Sequence, residues 1–242
     1  MIEARPTGDG TYTLFDETSG ECFHSHKGAL TESEHVFINA GQIQQRLETA
    51  RENHSTLRII EMGLGTGLNY LLSARAAQAI GVKLEYHAVE INLLDCDTVA
   101  SLQYHTLPGL VELSKEYQAL MQPCQALPSG QHSLATSTGL LTLHLGDAME
   151  IELPEDYFSL CYFDAFSPNT APHLWRRSQL QKFYRALEPN GLWLSYCARG
   201  SVRRDLMDCG FSVEKLIGPP GKREMLRATK PHKALPRSKV LT

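Results

Sequence analysis

The sequence has no CxxC pair, no internal repeat and no apolar run near the roughly 18 residues that span a bilayer. Its opening, MIEARPTGDG, lacks the apolar core of a secretory signal. A membrane-spanning or signal-led secreted protein is therefore not expected. The six cysteines, at 22, 96, 124, 161, 197 and 209, are scattered, several within strand-like runs such as LCYFDAF. That suits buried thiols in a reducing cytoplasm better than a disulfide framework. Positive charge is scarce over most of the chain. Residues 1–175 hold 8 Lys+Arg against 22 Asp+Glu, whereas residues 176–242 hold 15 against 5. A basic third on an acidic chain is the charge pattern of a polyanion-binding face, although solvated helix surfaces produce the same imbalance.

What is present is ordinary globular composition. With 242 residues, 42% hydrophobic and 21% charged, the chain can bury a full core in one large domain, or one domain with a small appendage. Early apolar–polar alternation predicts two or three short strands and then a helix near Thr31, with TESE as its acidic start. Strands are predicted at 57–61, 83–90, 140–147, 158–166, 191–197, 212–217 and 223–229. Helices are predicted at 68–80, 93–103, 174–187 and from Ser201 to a glycine cap at Gly210. Residues 104–140, with Pro108, Pro123, Pro128 and Gly130, read as irregular around one short helix near 110–121. This rhythm of apolar strands and helices predicts an α/β fold with a Rossmann-like, mostly parallel sheet covered on both faces. The division expected is a small N-terminal β extension and helix over 1–50, a main domain over 51–230 and a flexible tail or linker over 231–242.

One turn carries the first chemistry. In RIIEMGLGTGLNYLL the glycines stand at 63, 65 and 67, between a strand and a helix. A dinucleotide fingerprint is G-x-G-x-x-G, and an acid directly before it repels a pyrophosphate. Glu61 at this strand end instead favours a positively charged ligand such as S-adenosylmethionine, with its ammonium and sulfonium groups. Glu90 closes the second strand, placed to accept from both ribose hydroxyls, and Asp147 closes a third in GDA, placed to accept from an adenine amine. Acids at three strand ends converge where open α/β sheets bind ligands.

A further strand, CYFDAF, delivers Asp164 to the same edge, followed by a loop stiffened by Pro168 and Pro172. A carboxylate there suits an amine acceptor, because an alkylamine has a pKa of about 10 and is an ammonium at neutral pH. Such a group binds the ammonium and stabilises charge developing on nitrogen. Helix capping is the plainer explanation of an acid at this position. Cys22, His24 and His26 alternate in ECFHSHK, but no fourth ligand is apparent and no metal is expected.

Six stretches run in order from about residue 10 to 229: HVF, GLGTGLNYL, GDA, DAFSP with a later Pro-x-x-Trp, VRRDLMDCGF and GPPGKREMLRA. In these the chain resembles the tRNA methyltransferases that make 5-methylaminomethyl-uridine at the wobble position, the MnmC methyltransferase domain or its standalone MnmD form. The resemblance implies a methyltransferase fold with a final antiparallel strand, and methyl transfer to an aminomethyl group on a tRNA uridine. Asp164 is then the amine-facing catalytic residue, and Glu61, Gly63, Gly65, Gly67, Asn69, Glu90, Asp147 and Ala148 bind S-adenosylmethionine. Phe166, Pro168 and Trp175 face the substrate, with an aromatic stacked on the flipped uracil. Arg176, Arg203, Arg204, Lys222 and Arg223, with Arg177 and Arg199, meet the phosphates of the anticodon arm.

One position departs from the family. It usually carries Asn before the proline of Pro-x-x-Trp, and here the residue is Ala171, with Asn169 nearby. In some relatives this domain is fused to a flavin-dependent oxidase that generates the amine. No second glycine fingerprint is present, so that step is assigned to a functional or fused partner. The alternative reading is a methyl- or aminopropyl-transferase acting on a small amine without RNA.

Overall fold

The computed structural model describes residues 1–232. Three strands, β1 (Ile2–Pro6), β2 (Tyr12–Asp16) and β3 (Glu21–Cys22), form a small antiparallel sheet. Helix α1 (Ala29–Ser33) runs into a π-helical turn over Glu34–Asn39, and α2 (Ile43–Glu52) follows. Then come β4 (Leu57–Met62), α3 (Leu68–Ile80), β5 (Leu84–Glu90), α4 (Cys96–Ala100), α5 (Val111–Cys124), β6 (Gly130–Thr136) and β7 (Gly139–Leu145). The chain continues through β8 (Phe158–Phe163), α6 (Arg177–Ala186), β9 (Leu187–Ser195), α7 (Gly200–Cys209), β10 (Ser212–Ile217) and β11 (Glu224–Thr229).

Eight strands make the main sheet in the order β10-β11-β9-β8-β4-β5-β7-β6. The five from β9 to β7 pair in parallel, and β11 runs antiparallel to β9, the arrangement the sequence predicts. At the far edge β6 also runs antiparallel, to β7. The central strands are buried on both faces, which is why β8 reads as the unbroken apolar run FSLCYF. Strand alternation divides their side chains between two cores. Ile59 and Tyr86 face the helices α2, α3 and α5, while Ile60, Phe163 and Trp193 face α6 and α7. Leu14, Val36 and Phe37 of the N-terminal segment belong to the first core, so the small sheet is anchored to the large one by shared apolar burial.

Two expectations fail in the middle of the chain. The predicted helix over 93–103 shrinks to α4, because Asp95 is extended and caps it through Thr98 N (2.8 Å), while Gln103 is left-handed beyond its end. The stretch over 104–140 holds the helix expected near 110–121, as the fourteen-residue α5 with Pro123 in its last turn, but where it reads as irregular it also holds the strand β6. Strand β6 has one mostly exposed face and few apolar residues, as an edge strand tolerates, so its hydrophobic signal is faint. Of the tail expected at 231–242, residues 233–242 lie outside the described residues.

Candidate active site

The parallel strands β4, β5, β7, β8 and β9 all end at one edge, and the loops leaving them wall a cavity of about 830 Å³. That is near the top of the roughly 300–1,000 Å³ range of small-molecule sites, room for a nucleoside-sized group and a second reactant. The small sheet closes the opposite side through residues 20–27, and Glu32 of α1 and Lys222 of the β10–β11 turn complete the wall.

The glycine turn is tied to Glu90. Gly63 N donates to Val89 O at 3.0 Å and Gly65 N donates to Glu90 Oε2 at 3.1 Å. The other carboxylate oxygen accepts from Ile91 N and Asn92 N at 2.9 and 3.1 Å. Burial nevertheless raises the Glu90 pKa above its ordinary value. Gly65 has φ +51, and a Cβ there would stand 3.1 Å from the Phe23 ring, on the cavity wall. The loop thus brings bare backbone against a carboxylate on the cavity wall, an acceptor of the kind that the ribose hydroxyls of an adenosine moiety need. Gly67 is glycine for another reason. It starts α3 with φ +79, and a Cβ would fall 2.4 Å from the Tyr117 ring, so packing against α5 dictates it and it does not line the cavity. Asp147 stands exposed at the rim with Oδ1 accepting from Met149 N at 2.8 Å, and Ala148 lies buried beside it.

Asp164 follows the last residue of β8 and lines the cavity. Asn69, in the first turn of α3, donates through Nδ2 to both Asp164 Oδ2 and Glu61 Oε1, each at 2.8 Å. Tyr86 OH donates to the second Glu61 oxygen at 2.8 Å. Desolvation pushes the Asp164 carboxyl up to about 7, with the charge of Glu32 adding to the rise, while the Asn69 bond and Lys222 oppose it. Glu61, expected to meet a cationic ligand, is fully buried under α3 and off the cavity wall. The period-2 alternation of β4 turns it toward the α3 core, where burial and the charge of Asp164 favour its neutral form. Its contact is with Asn69, which in turn holds Asp164.

The loop after Asp164 is held by a residue that sequence reasoning missed. Glu21 of β3 accepts from Ser167 N at 3.0 Å and from the hydroxyls of Ser167 and Thr170. Phe166 lines the cavity, edge-on to Phe23 with ring centres 5.2 Å apart. Pro168 is partly buried but off the cavity wall. Trp175, expected to stack on a base, is 4% exposed and packs on Phe163 at 4.8 Å. Its indole donates to Phe166 O at 2.8 Å, so it buttresses the loop from the core. Ala171 is buried, and Asn169 is exposed with its backbone N–H donating to Ser167 Oγ at 3.3 Å.

The basic residues separate into two groups. Arg177 pairs with Asp205 (3.1 Å) and Asp208, and Lys222 turns inward to Glu32. Among the described residues, Arg176, Arg199, Arg203, Arg204 and Arg223 make no side-chain ion pair. They stand at the starts of α6 and α7 and on the β10–β11 turn, the edge that holds the cavity. His24 is buried on the cavity wall, neither ring nitrogen has a hydrogen-bond partner among the described residues, and burial lowers it to about 4. Among the described residues no three His, Cys, Asp or Glu side chains are grouped as metal ligands.

A family model described as S-adenosyl-L-methionine-dependent methyltransferase matches residues 111–231. The tRNA 5-methylaminomethyl-2-thiouridine biosynthesis bifunctional protein MnmC of Burkholderia thailandensis is 30% identical over 228 residues, 88% of this chain and 33% of that protein. The protein of the same name from Stutzerimonas stutzeri is 32% identical over 216 residues, covering 86% and 32%. This chain therefore spans about a third of the length of these curated relatives. The crystal structure of MNMC2 from Aquifex aeolicus is similar over 97% of this chain and 72% of that one, at 26% identity and a TM-score of 0.76.

Proposed function

The chain belongs to the family of S-adenosyl-L-methionine-dependent methyltransferases, and from that premise we propose that it N-methylates 5-aminomethyl-(2-thio)uridine at the tRNA wobble position, giving 5-methylaminomethyl-(2-thio)uridine. The observation that carries this reading is Asp164, a carboxylate at the cavity wall fixed on one oxygen by Asn69.

S-adenosylmethionine supplies, when bound, a methyl group activated by its sulfonium. Glu90 and the Gly63–Gly65 backbone hold its adenosine part, with Asp147 and Ala148 at the rim. Asn69 occupies Asp164 Oδ2, which leaves Oδ1 for the acceptor nitrogen. As an anion, Asp164 captures the aminomethyl ammonium, orients the nitrogen once a proton has left, and stabilises the positive charge that nitrogen gains on methylation. Phe166, edge-on to Phe23, walls the uracil. The exposed arginines at 176, 199, 204 and 223, with the half-buried Arg203, supply phosphate contacts that position the anticodon arm without reading its bases.

The relatives of this chain are named as bifunctional proteins in tRNA modification. In our reading the amine is generated by a flavin-dependent oxidase, fused or separate, and both act in the cytoplasm. A labelled-methyl assay tests the proposal with two tRNA pools, one carrying aminomethyl-uridine at the wobble base and one lacking it. Label is expected in the first pool only. Label in neither, with S-adenosylmethionine binding intact, moves the acceptor to a small amine and overturns the tRNA assignment.

A further inference from the structure

Lys182 has no part in the mechanism above and does not line the cavity. It stands in α6, half-buried, and its side chain reaches back to the loop that leaves β7. Its Nζ donates to the carbonyls of Ala148 at 2.6 Å, Met149 at 3.2 Å and Ile151 at 2.8 Å. An ammonium has three N–H donors, and three carbonyls of one loop accept them. Gln179, one turn earlier on α6, adds a longer bond to Ala148 O at 3.4 Å. Burial lowers the Lys182 pKa, and the charges of Asp147 and Glu152 oppose that.

The same peptide units are held on their other side by Asp147. The Ala148–Met149 peptide presents its carbonyl to Lys182 and its N–H to Asp147 Oδ1 at 2.8 Å. The Met149–Glu150 peptide presents its carbonyl to Lys182 and its N–H to Asp147 O at 2.9 Å. Two successive peptide planes are thus fixed between the cation and Asp147. A cation on a carbonyl also polarises the peptide and strengthens its N–H as a donor. Residues 146–157 form neither helix nor strand, so no ladder of regular hydrogen bonds sets these planes.

We propose that Lys182 is a positioning residue for cofactor recognition, fixing the Ala148–Met149 peptide so that Asp147 is preset for the adenine amine of S-adenosylmethionine. This rests on the function proposed above, in which Asp147 and Ala148 stand at the rim of the adenosine site. With Oδ1 held by Met149 N, Oδ2 is the oxygen left for the amine. Without Lys182 both planes lose their hold on one side, and the carboxylate is no longer preset. The loss then falls on the contact that tells adenine from a base lacking the amine.

The test is calorimetric binding of S-adenosylhomocysteine and of S-inosylhomocysteine, which carries an oxo group in place of the amine. The wild-type chain is expected to prefer the adenosine ligand about tenfold. Lys182→Met is expected to cut that preference to about twofold, chiefly by weakening S-adenosylhomocysteine. Asp147→Ala, at the exposed rim, gives the same loss, and the double variant loses no more than either alone. Lys182→Arg keeps a charged donor and retains part of the preference; it carries the test if the Met variant does not fold. A preference untouched in folded variants, or losses that multiply in the double variant, overturn the proposal. So does equal weakening of both ligands, the mark of a merely structural lysine. A wild-type chain without preference takes Asp147 off the adenine and overturns this inference too. If the binding is as expected while tRNA carrying aminomethyl-uridine stays unmethylated, the hold on the loop stands and the tRNA reading falls.

Discussion

The two halves of the cavity are built in different ways. The half formed by the loops after β4, β5 and β7 is assembled from short contiguous motifs: a glycine turn, a strand-ending glutamate and a GDA loop, each next to its own strand. The half around Asp164 is assembled from distant segments. Glu21 reaches Ser167 across 146 residues, and Lys222 meets Glu32 across 190. A local motif tolerates more change elsewhere, since most of its geometry comes from its own backbone. A site stitched from remote segments depends on the whole fold, and on the small N-terminal sheet in particular. Perturbation of that sheet is therefore expected to reach turnover before it reaches cofactor affinity.

The largest expected effect breaks the two halves apart at Asp164. Asp164→Asn is expected to lose about 10²–10³-fold in kcat, with S-adenosylmethionine affinity unchanged by calorimetry. Equal loss in both measurements would put Asp164 in the cofactor half. The converse is Glu90→Ala, which removes an acceptor of three backbone N–H groups. Its cofactor Kd is expected to rise about 10–100-fold, while saturating cofactor restores most of kcat.

Glu21→Ala sharpens the comparison, because it cuts the tether between the small sheet and the Asp164 loop without touching the glycine turn. We expect kcat to fall about tenfold at unchanged cofactor Kd, with partial recovery in Glu21→Gln, which still accepts hydrogen bonds. Stability gives a smaller, pH-dependent signal. The Asp164 carboxyl sits at about 7 in the fold against an ordinary 3.8, so the folded state holds this proton more tightly than the unfolded one. Its favourable contribution is complete below pH 3.8, declines as pH rises and is gone above about 7. Asp164→Asn is accordingly expected to melt higher than wild type at about pH 8, by about 2–4 °C per kcal/mol, and to converge on it near pH 4.

The smallest effects belong to the arginines. Arg204→Ala or Arg223→Ala is expected to weaken tRNA binding a few-fold and to lower the salt slope by about one. Arg177→Ala, whose charge is already matched by Asp205 and Asp208, leaves that slope unchanged. A slope that falls equally in all three would mean that ion pairing within α6 and α7 does not decide which arginines meet phosphate.

The family resemblance implied the antiparallel final strand; by itself the sequence determined the parallel sheet, the glycine turn and the acids at the ends of β5, β7 and β8. These are written locally, in apolar runs, in strand–helix alternation and in glycines at positions of positive φ. It did not reveal β6, whose edge position permits a nearly polar sequence, nor that Glu61 and Trp175 turn into the core instead of the cavity. Strand alternation and helix packing choose those directions, and a one-residue change of phase reverses them. Glu21 and Glu32 were legible only in the tertiary structure, as was the inward turn of Lys222, which the sequence reading assigns to phosphate. No local pattern marks an acid on a two-residue strand as part of a site or turns a hairpin lysine away from solvent. These residues meet because a shared core carries the N-terminal sheet and the last hairpin to the mouth of the same cavity.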